Sequence, residues 1–329
     1  MVPRHPDLGS FTGLRCSIIE TINCSFLPTG QVNKFDSHGE IACAYQRDDE
    51  ISDPKPRQLK LSGRNHIDRV VPSPSLLTAN EMRGLEDEEA YELRVNLLSR
   101  QPVVALRYHL KAQPESTVPI LLRPAWKIDN KTAGIILHYS INPSYTLHHP
   151  SPSITLKNFI LIASITSNDT IPAISCQSKP AGVFSRERGI VYWRLGDVSL
   201  STAEPSGNKV VARFMLTPGE NPAAKPGNVE ARFEIPGALA TGDDQQRDLA
   251  GSSHPSVGLM ECEFTEPKGK EKEIVGDADR DPFADEGEPD GTSTPTPARM
   301  RAENWRAVQG VRKVVSGRYL VVSEESRTG

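Results

Sequence analysis

Ser175 to Leu200 reads SCQSKPAGVFSRERGIVYWRLGDVSL, and its second half decides the fold. From Gly189 to Leu195 the residues alternate, with Ile190, Tyr192 and Arg194 on one face and Val191, Trp193 and Leu195 on the other. That is the period of a half-buried strand, and Gly196-Asp197 is expected to end it. The next two runs repeat the pattern. In KVVARFML, Ala212, Phe214 and Leu216 oppose Val211, Arg213 and Met215; from Val229 to Ile235, Val229, Ala231, Phe233 and Ile235 oppose Glu230, Arg232 and Glu234. Together they predict a sheet with one wet face. The link TPGENPAAKPGN carries three prolines and two glycines, through which neither neighbouring strand is expected to continue.

Working outward, LRCSIIETINCSF (Leu14 to Phe26), PTGQ and VNKFDSHGEIACAYQ read as strand, turn, strand. Residues Arg47 to Pro74 read mostly as loop, with a short strand at Gln58 to Leu61. A two-turn helical face can be drawn from Leu85 to Leu98, but Tyr91, Leu93, Val95 and Leu97 alternate strictly with Glu92, Arg94 and Asn96, which favours a strand from Ala90 to Leu98. Val104, Leu106, Tyr108 and Leu110 repeat the alternation. VPILLRPAWKI, AGIILHYSINP and SITLKNFILIASI follow, each bounded by proline, glycine or asparagine and without the helix that a β-α-β unit needs between strands. The expected fold class is all-β.

Beyond Ala238 the composition turns polar, VGLMECEF is a strand candidate, and Glu266 to Met300 is charged, rich in Gly and Pro and poor in apolar residues, which predicts a disordered acidic insertion. Order is expected to return in AENWRAVQGVRKVVSGRYLVV, where Gly317 divides two β-rich runs into a hairpin. A hairpin after so long a loop must pair with a sheet already present. The chain therefore divides into a first part (residues 8–116), an inserted second sandwich (117–240) and return strands (255–324) interrupted by 266–300.

The whole composition narrows the function. With 329 residues, 37% of them hydrophobic, the chain can bury a real core. Lys+Arg 38 against Asp+Glu 42 gives −4, unlike the basic footprint of a nucleic-acid binder. No apolar run approaches a membrane span and MVPRHPDLGS has no apolar signal core, so a soluble, cytosolic chain is expected. The five cysteines, Cys16, Cys24, Cys43, Cys176 and Cys262, have neither CxxC nor metal spacing and read as free thiols. N-x-S/T sequons at Asn23, Asn130 and Asn168 matter only in a secreted chain.

Catalytic chemistry finds no foothold. His148 and His149 sit in HHPSPS without a third ligand at a recognisable spacing, and there is no G-x-S-x-G, no H-E-x-x-H and no phosphate-cradling loop. A non-enzymatic protein without cofactor or metal is expected. Binding features are stronger. Lys179, Arg186, Arg188 and Arg194 cluster on and before one strand, and Lys209, Arg213 and Arg232 lie on the polar faces of strands expected to neighbour it. The set reads as a basic patch for acidic peptides or anionic lipid heads; the plainer alternative is solvent-facing charge balanced by Glu187, Glu230 and Glu234. Trp193, sharing a face with Val191 and Leu195, reads as core. Inside the insertion, Asp281-Pro282-Phe283 offers one aromatic anchor for a small apolar pocket, with phosphorylatable Thr294-Pro295 and Thr296-Pro297 nearby.

The ordered set SCQSKPAGVFSRERGIVYWRLGDVSL, RFMLTPGE, VEARFEIPG, RPAWKIDN with LHYSINPSYTL, and the closing VSGRYLVV resembles the mu-homology domain of the muniscins, the F-BAR-containing endocytic adaptors, over about Leu14 to Val322. The resemblance implies an elongated mu-homology domain of two β-sandwich subdomains, the second inserted in the first. It also implies a role early in clathrin-mediated endocytosis, with transmembrane cargo tails and EH-domain scaffold proteins as partners. Asp281 to Phe283 then reads as a ligand for a clathrin-adaptor appendage, with anionic phospholipid as an alternative partner of the basic patch. The F-BAR domain and proline-rich linker of whole muniscins do not stand in this sequence, which is expected to be a fragment or a truncated product. Related adaptor medium chains grip tyrosine signals with an aromatic and an aspartate on the first strand, where this chain has Arg15 and Ser17, and with a tryptophan and an arginine on the last hairpin, where it has Gln309 and Val311. A tyrosine-signal pocket is not expected.

Overall fold

The computed structural model describes residues 4–47, 57–79, 90–111, 117–146, 153–167, 173–201, 203, 208–217, 224–237, 257–263 and 305–322. In chain order the strands are β1 (Gly13–Phe26), β2 (Val32–Gln46), β3 (Arg57–Ser62), β4 (Ile67–Pro72), β5 (Leu77–Ala79), β6 (Ala90–Leu93), β7 (Val103–Leu110), β8 (Ile120–Ile128), β9 (Thr132–Ile141), β10 (Ser153–Thr166), β11 (Ala173–Lys179), β12 (Val183–Ser185), β13 (Ile190–Ser201), β14 (Asn208–Leu216), β15 (Lys225–Pro236), β16 (Gly258–Glu263), β17 (Arg306–Ala307) and β18 (Gly310–Val321). A single α-helical turn, Pro143–Thr146, and two short 3-10 turns are the helical pieces among the described residues.

Three sheets hold these strands. A nine-stranded sheet runs β12-β13-β10-β15-β18-β1-β2-β7-β4, a four-stranded sheet runs β11-β14-β9-β8, and a five-stranded sheet runs β17-β16-β3-β6-β5. The long sheet serves both sandwiches. Its β12 to β15 end buries Trp193, Leu161, Ala231 and Phe233 opposite the four-stranded sheet, with Tyr139 edge-on to Phe159 and Phe184 edge-on to Phe214. β15 pairs antiparallel with β18, which makes the two ends one sheet, and β18 pairs in parallel with β1. The chain thus leaves the first sandwich after β7, builds the second from β8 to β15, and returns through β16 to β18. This is the all-β, inserted arrangement expected from the sequence.

Several local expectations are corrected. Gly196-Asp197 does not end its strand: β13 continues to Ser201, because Gly196 takes φ +72° opposite Phe159 in a bulge that absorbs the extra residue. The runs from Ser175 to Ile235 do not form one sheet. β13 and β15 both flank β10 in the nine-stranded sheet, whereas β14 crosses to the four-stranded one. Two face-to-face sheets each need one apolar face, so alternation cannot say which sheet a strand joins. β15 begins at Lys225 and carries Pro226 into the ladder, where a register shift against Ala163 to Ile165 spares the missing N–H.

The expected strand from Ala90 to Leu98 stops at Leu93. A 3-10 turn then buries Val95 and leaves Leu97 53% exposed. Ile67–Pro72, expected to be loop, forms edge strand β4 against β7. Gly317 does not divide a hairpin: β18 is one strand passing through it. A Cβ there would lie 2.2 Å from Asn23 Oδ1 and 2.8 Å from Thr21 Cγ2, so the close approach of β1 to β18 explains the glycine. Trp193 is fully buried, as its position in the alternation requires.

β1 explains its own composition. It lies inside the long sheet, and residues on both faces are buried: Cys16, Ile18 and Ile22 inward, Ser17 and Ile19 outward. The segment preceding it reaches the outer side, where His5 Nδ1 lies 2.9 Å from Ser17 Oγ and the Phe11 N–H donates to Gln46 Oε1 at 3.4 Å. A strand buried on both faces reads as a nearly continuous apolar run rather than an alternation.

Candidate functional site

The return from the five-stranded to the nine-stranded sheet creates a concavity. Val308 N–H donates to Leu259 O at 2.8 Å on one side, and Cys16 N–H donates to Gln309 O at 3.1 Å on the other. Residues 307–310 therefore bridge the two sheets, and beside the bridge opens a depression of about 410 Å3 lined by Arg15, Cys16, Val308, Gln309 and Arg312, among others. Arg15 Nη1 donates to Gln309 Oε1 at its rim. Cys16 Sγ sits 3.7 Å from Val308 O, and burial pushes its thiol up to about 12, with the Arg312 and Arg15 cations pulling the other way. The thiol stays neutral at physiological pH and is a poor nucleophile. What the depression offers is a guanidinium-rich rim with Cys16 and Val308 beneath it, a mixed polar and apolar lining suited to an anionic side chain beside an apolar one.

Arg15, Ser17, Gln309 and Val311 are brought together by the parallel register of β1 and β18, in which Cys16 faces Gly310 and Ser17 faces Val311. An arginine-glutamine hydrogen bond joins Arg15 to Gln309, and Ser17 is fully buried against His5.

The seven basic residues expected to form one patch divide between the two outer faces of the second sandwich. Arg194 and Arg232 are both register partners of Ile160, so they flank β10 on the outer face of the nine-stranded sheet, and Arg186 and Arg188 are exposed in the turn between β12 and β13. Three cations of that face have carboxylate partners. Arg232 Nε pairs with Glu230 at 2.7 Å, which raises its pKa, Lys157 pairs with Asp197 at 2.5 Å, and Lys313 pairs with Glu234 at 2.9 Å. Lys179, Lys209 and Arg213 lie instead on the four-stranded sheet, exposed on its outer face. The single patch fails because the chain crosses the sandwich twice between β13 and β15.

Two further cations share that second face. Arg123 and Lys209 are both register partners of His138, and Lys127 and Arg213 are both register partners of Gly134. The sequence carried a signal for them: ILLRPAWKI, TAGIILHYSI, AISCQSK and NKVVARFML, the four strands of this sheet, contain no aspartate or glutamate. Asp281, Pro282 and Phe283 lie outside the described residues, as do His148 and His149. Among the described residues no group of three or more His, Cys, Asp or Glu side chains is placed to hold a metal ion, and all five cysteines are free. Among the described residues no helix is long and apolar enough to cross a membrane.

Known proteins match both the sequence and the fold. The family model of the muniscin C-terminal mu homology domain matches residues 12–322. The chain is 26% identical over 225 residues to the suppressor of yeast profilin deletion of Saccharomyces cerevisiae, covering 68% of this chain and 24% of that protein. It is 22% identical over 209 residues to the human F-BAR domain only protein 2, covering 59% and 24%. The chain thus spans about a quarter of the length of these curated relatives. Among solved structures, the zebrafish (Danio rerio) Fcho1 mu homology domain with bound Eps15 peptide has the same fold, with a TM-score of 0.55 at 15% identity over 96% of this chain and 99% of that one. The yeast delta-COP-I mu-homology domain complexed with a Dsl1 WxWxV peptide gives 0.50 at 13% identity over the same shares. The chain belongs to the muniscin family and carries its C-terminal mu homology domain.

Proposed function

We propose that this chain is a non-enzymatic adaptor module of early clathrin-mediated endocytosis, working in the cytoplasm at endocytic sites of the plasma membrane. It binds short segments of EH-domain scaffold proteins and of transmembrane cargo tails. The observation that carries the reading is the fold shared, over 96% of the chain, with a muniscin domain solved with an Eps15 peptide. The depression beside Arg15 and Gln309 supports an acidic, aromatic-anchored ligand: its guanidinium groups meet carboxylates while the floor takes one apolar side chain. Asp281-Pro282-Phe283 plays the complementary part, as a ligand offered to a clathrin-adaptor appendage.

Titration of the full chain with a synthetic peptide carrying repeated Asp-Pro-Phe tests the first half. Binding is expected, and Arg15→Glu weakens it about tenfold or more, because a rim cation becomes a like charge. Absence of binding by the parent chain at millimolar peptide ends the peptide-adaptor reading; equal binding by Arg15→Glu moves the site away from the depression. Phe283→Ala tests the second half, through loss of clathrin-adaptor subunits from a cytosolic pull-down.

A further inference from the structure

The outer face of the four-stranded sheet is built from strands that contain no aspartate or glutamate. Three rows of side chains cross it: Arg123, His138 and Lys209 in one, Ala125, Ile136, Val211 and Lys179 in the next, Lys127, Gly134, Arg213 and Gln177 in the third. Rows lie about 7 Å apart and strands about 4.8 Å apart, so five cations share a field roughly 15 Å on a side. Arg123, Lys127, Lys179, Lys209 and Arg213 are all exposed, and none of them is in an ion pair within 4.0 Å among the described residues. The turn between β8 and β9 carries a carboxylate, Asp129, but it is held by the N–H groups of Lys131 and Thr132 and by the Thr132 hydroxyl. Apolar side chains stand in water beside them: Ile136, in the middle row, is 41% exposed, and Met215, one row beyond Arg213, is 38% exposed. On the far side of the same sandwich, by contrast, Arg232, Lys157 and Lys313 each have a carboxylate partner.

We infer that this face docks on an anionic phospholipid bilayer. The backbone N–H and C=O groups in the middle of a sheet are spent on its own ladders, so a broad sheet face offers a peptide no main-chain hydrogen bonds; those are available only at edges and in grooves. Cations dispersed over a field are poorly matched to one extended strand of acidic residues. A negatively charged plane meets all five at once, each interacting independently with the surface potential. The aliphatic side chains add contact with the headgroup and upper acyl region once the face is down. The depression beside Arg15 lies in the other sandwich, so the two activities are separable and this inference does not rest on the peptide reading.

The test is co-sedimentation of the full chain with phosphatidylcholine vesicles, with and without about a quarter phosphatidylserine. Binding is expected only to the anionic vesicles, and it falls steeply as salt rises, since exposed charges are screened within about 10 Å at 0.1 M. Lys127→Glu with Arg213→Glu lowers partitioning by roughly twentyfold or more, whereas Arg186→Glu with Arg194→Glu, on the opposite side of the sandwich, changes it less than about twofold. Should the double reversal disturb folding, the single neutralisations Lys209→Gln and Arg123→Gln each lower it about fivefold. The inference is overturned if the parent chain ignores anionic vesicles, or if both reversed pairs lose binding equally. It is equally overturned if reversal at Lys127 and Arg213 abolishes binding of an acidic peptide while vesicle binding persists, which makes the face a peptide site.

Discussion

The hydroxyl of Tyr319, in the last strand, donates to the carbonyl of Ile120 and accepts from its N–H at 3.3 Å, tying the C-terminal strand to the first residue of the second sandwich. Tyr319 is fully buried, and its ring is edge-on to Phe26 at 5.3 Å and to Phe233 at 5.0 Å, one from each sandwich. Burial holds its phenol well above the ordinary tyrosine range, so the group stays neutral and keeps its proton to donate. Tyr319→Phe keeps the aromatic packing and leaves the Ile120 N–H and C=O without this partner in the core. A loss of about 1–3 kcal/mol is expected, read as a lower urea midpoint at unchanged slope. A change below about 0.3 kcal/mol shows that the tie carries no stability.

Gly317 makes the second prediction. Alanine there puts a methyl against Asn23, whose Oδ1 accepts the Arg318 N–H at 2.7 Å, and against Thr21. Gly317→Ala is expected to cost about 1–3 kcal/mol by forcing β18 off β1. Adding Asn23→Ala removes the closest clash and recovers part of that cost, leaving the Thr21 contact. If the two changes simply add, Asn23 is not the obstacle.

The buried charges of the five-stranded sheet separate strong pairs from weak ones. Glu261 Oε2 lies 2.5 Å from Arg57 Nη1 and its Oε1 lies 2.9 Å from Arg306 Nε; Arg57 and Glu261 are both under a tenth exposed, while the Arg306 side chain is 61% exposed. Glu261→Gln removes the carboxylate charge that faces the buried Arg57 guanidinium and is expected to cost about 3 kcal/mol or more. Arg306→Ala removes a wet partner and is expected to cost less than about 1 kcal/mol. Thermal melts of the two variants check the order, and a reversed order contradicts the burial argument.

How much of this was legible follows from what each pattern can encode. β1, β2, β14 and Trp193 were readable because alternation or apolar runs fix which residues go inward. The alternation of KVVARFML is satisfied by either sheet of a sandwich, so the crossing of β14, and with it the splitting of the basic set, is a long-range fact. Arg123 and Lys127 escaped because β8, though readable as a strand, comes to share a face with Lys209 and Arg213 only through β9, a pairing its own run does not encode. Proline is tolerated in β8 only because that strand is the edge of its sheet, and edge position cannot be read from the run itself. Gly196 and Gly317 look like strand breakers locally, but one supplies a bulge and the other a close approach. The depression depends on residues 294 positions apart in Arg15 and Gln309, which only the parallel β1–β18 register joins.

The segment before β1 should respond to acid. His5 lies against Ser17, with Glu40 Oε2 at 3.8 Å from its Nε2, and its pKa is lowered from 6.5, chiefly because burial disfavours the cation; Glu40 pulls it back up and Lys313 pushes it down. A histidine whose pKa is lower when docked binds fewer protons docked than free. Docking is therefore fully stable above about pH 6.5 and weakens as pH falls through the interval below it. Hydrogen exchange of the amides in residues 4–11, corrected for intrinsic rates, should be faster at pH 5 than at pH 7.5, while amides of β10 and β15 stay protected. His5→Gln keeps a side-chain partner for Ser17 but cannot titrate near neutrality, so it should flatten most of that difference. Equal protection at both pH values in the parent chain would mean that His5 does not govern the docking of this segment.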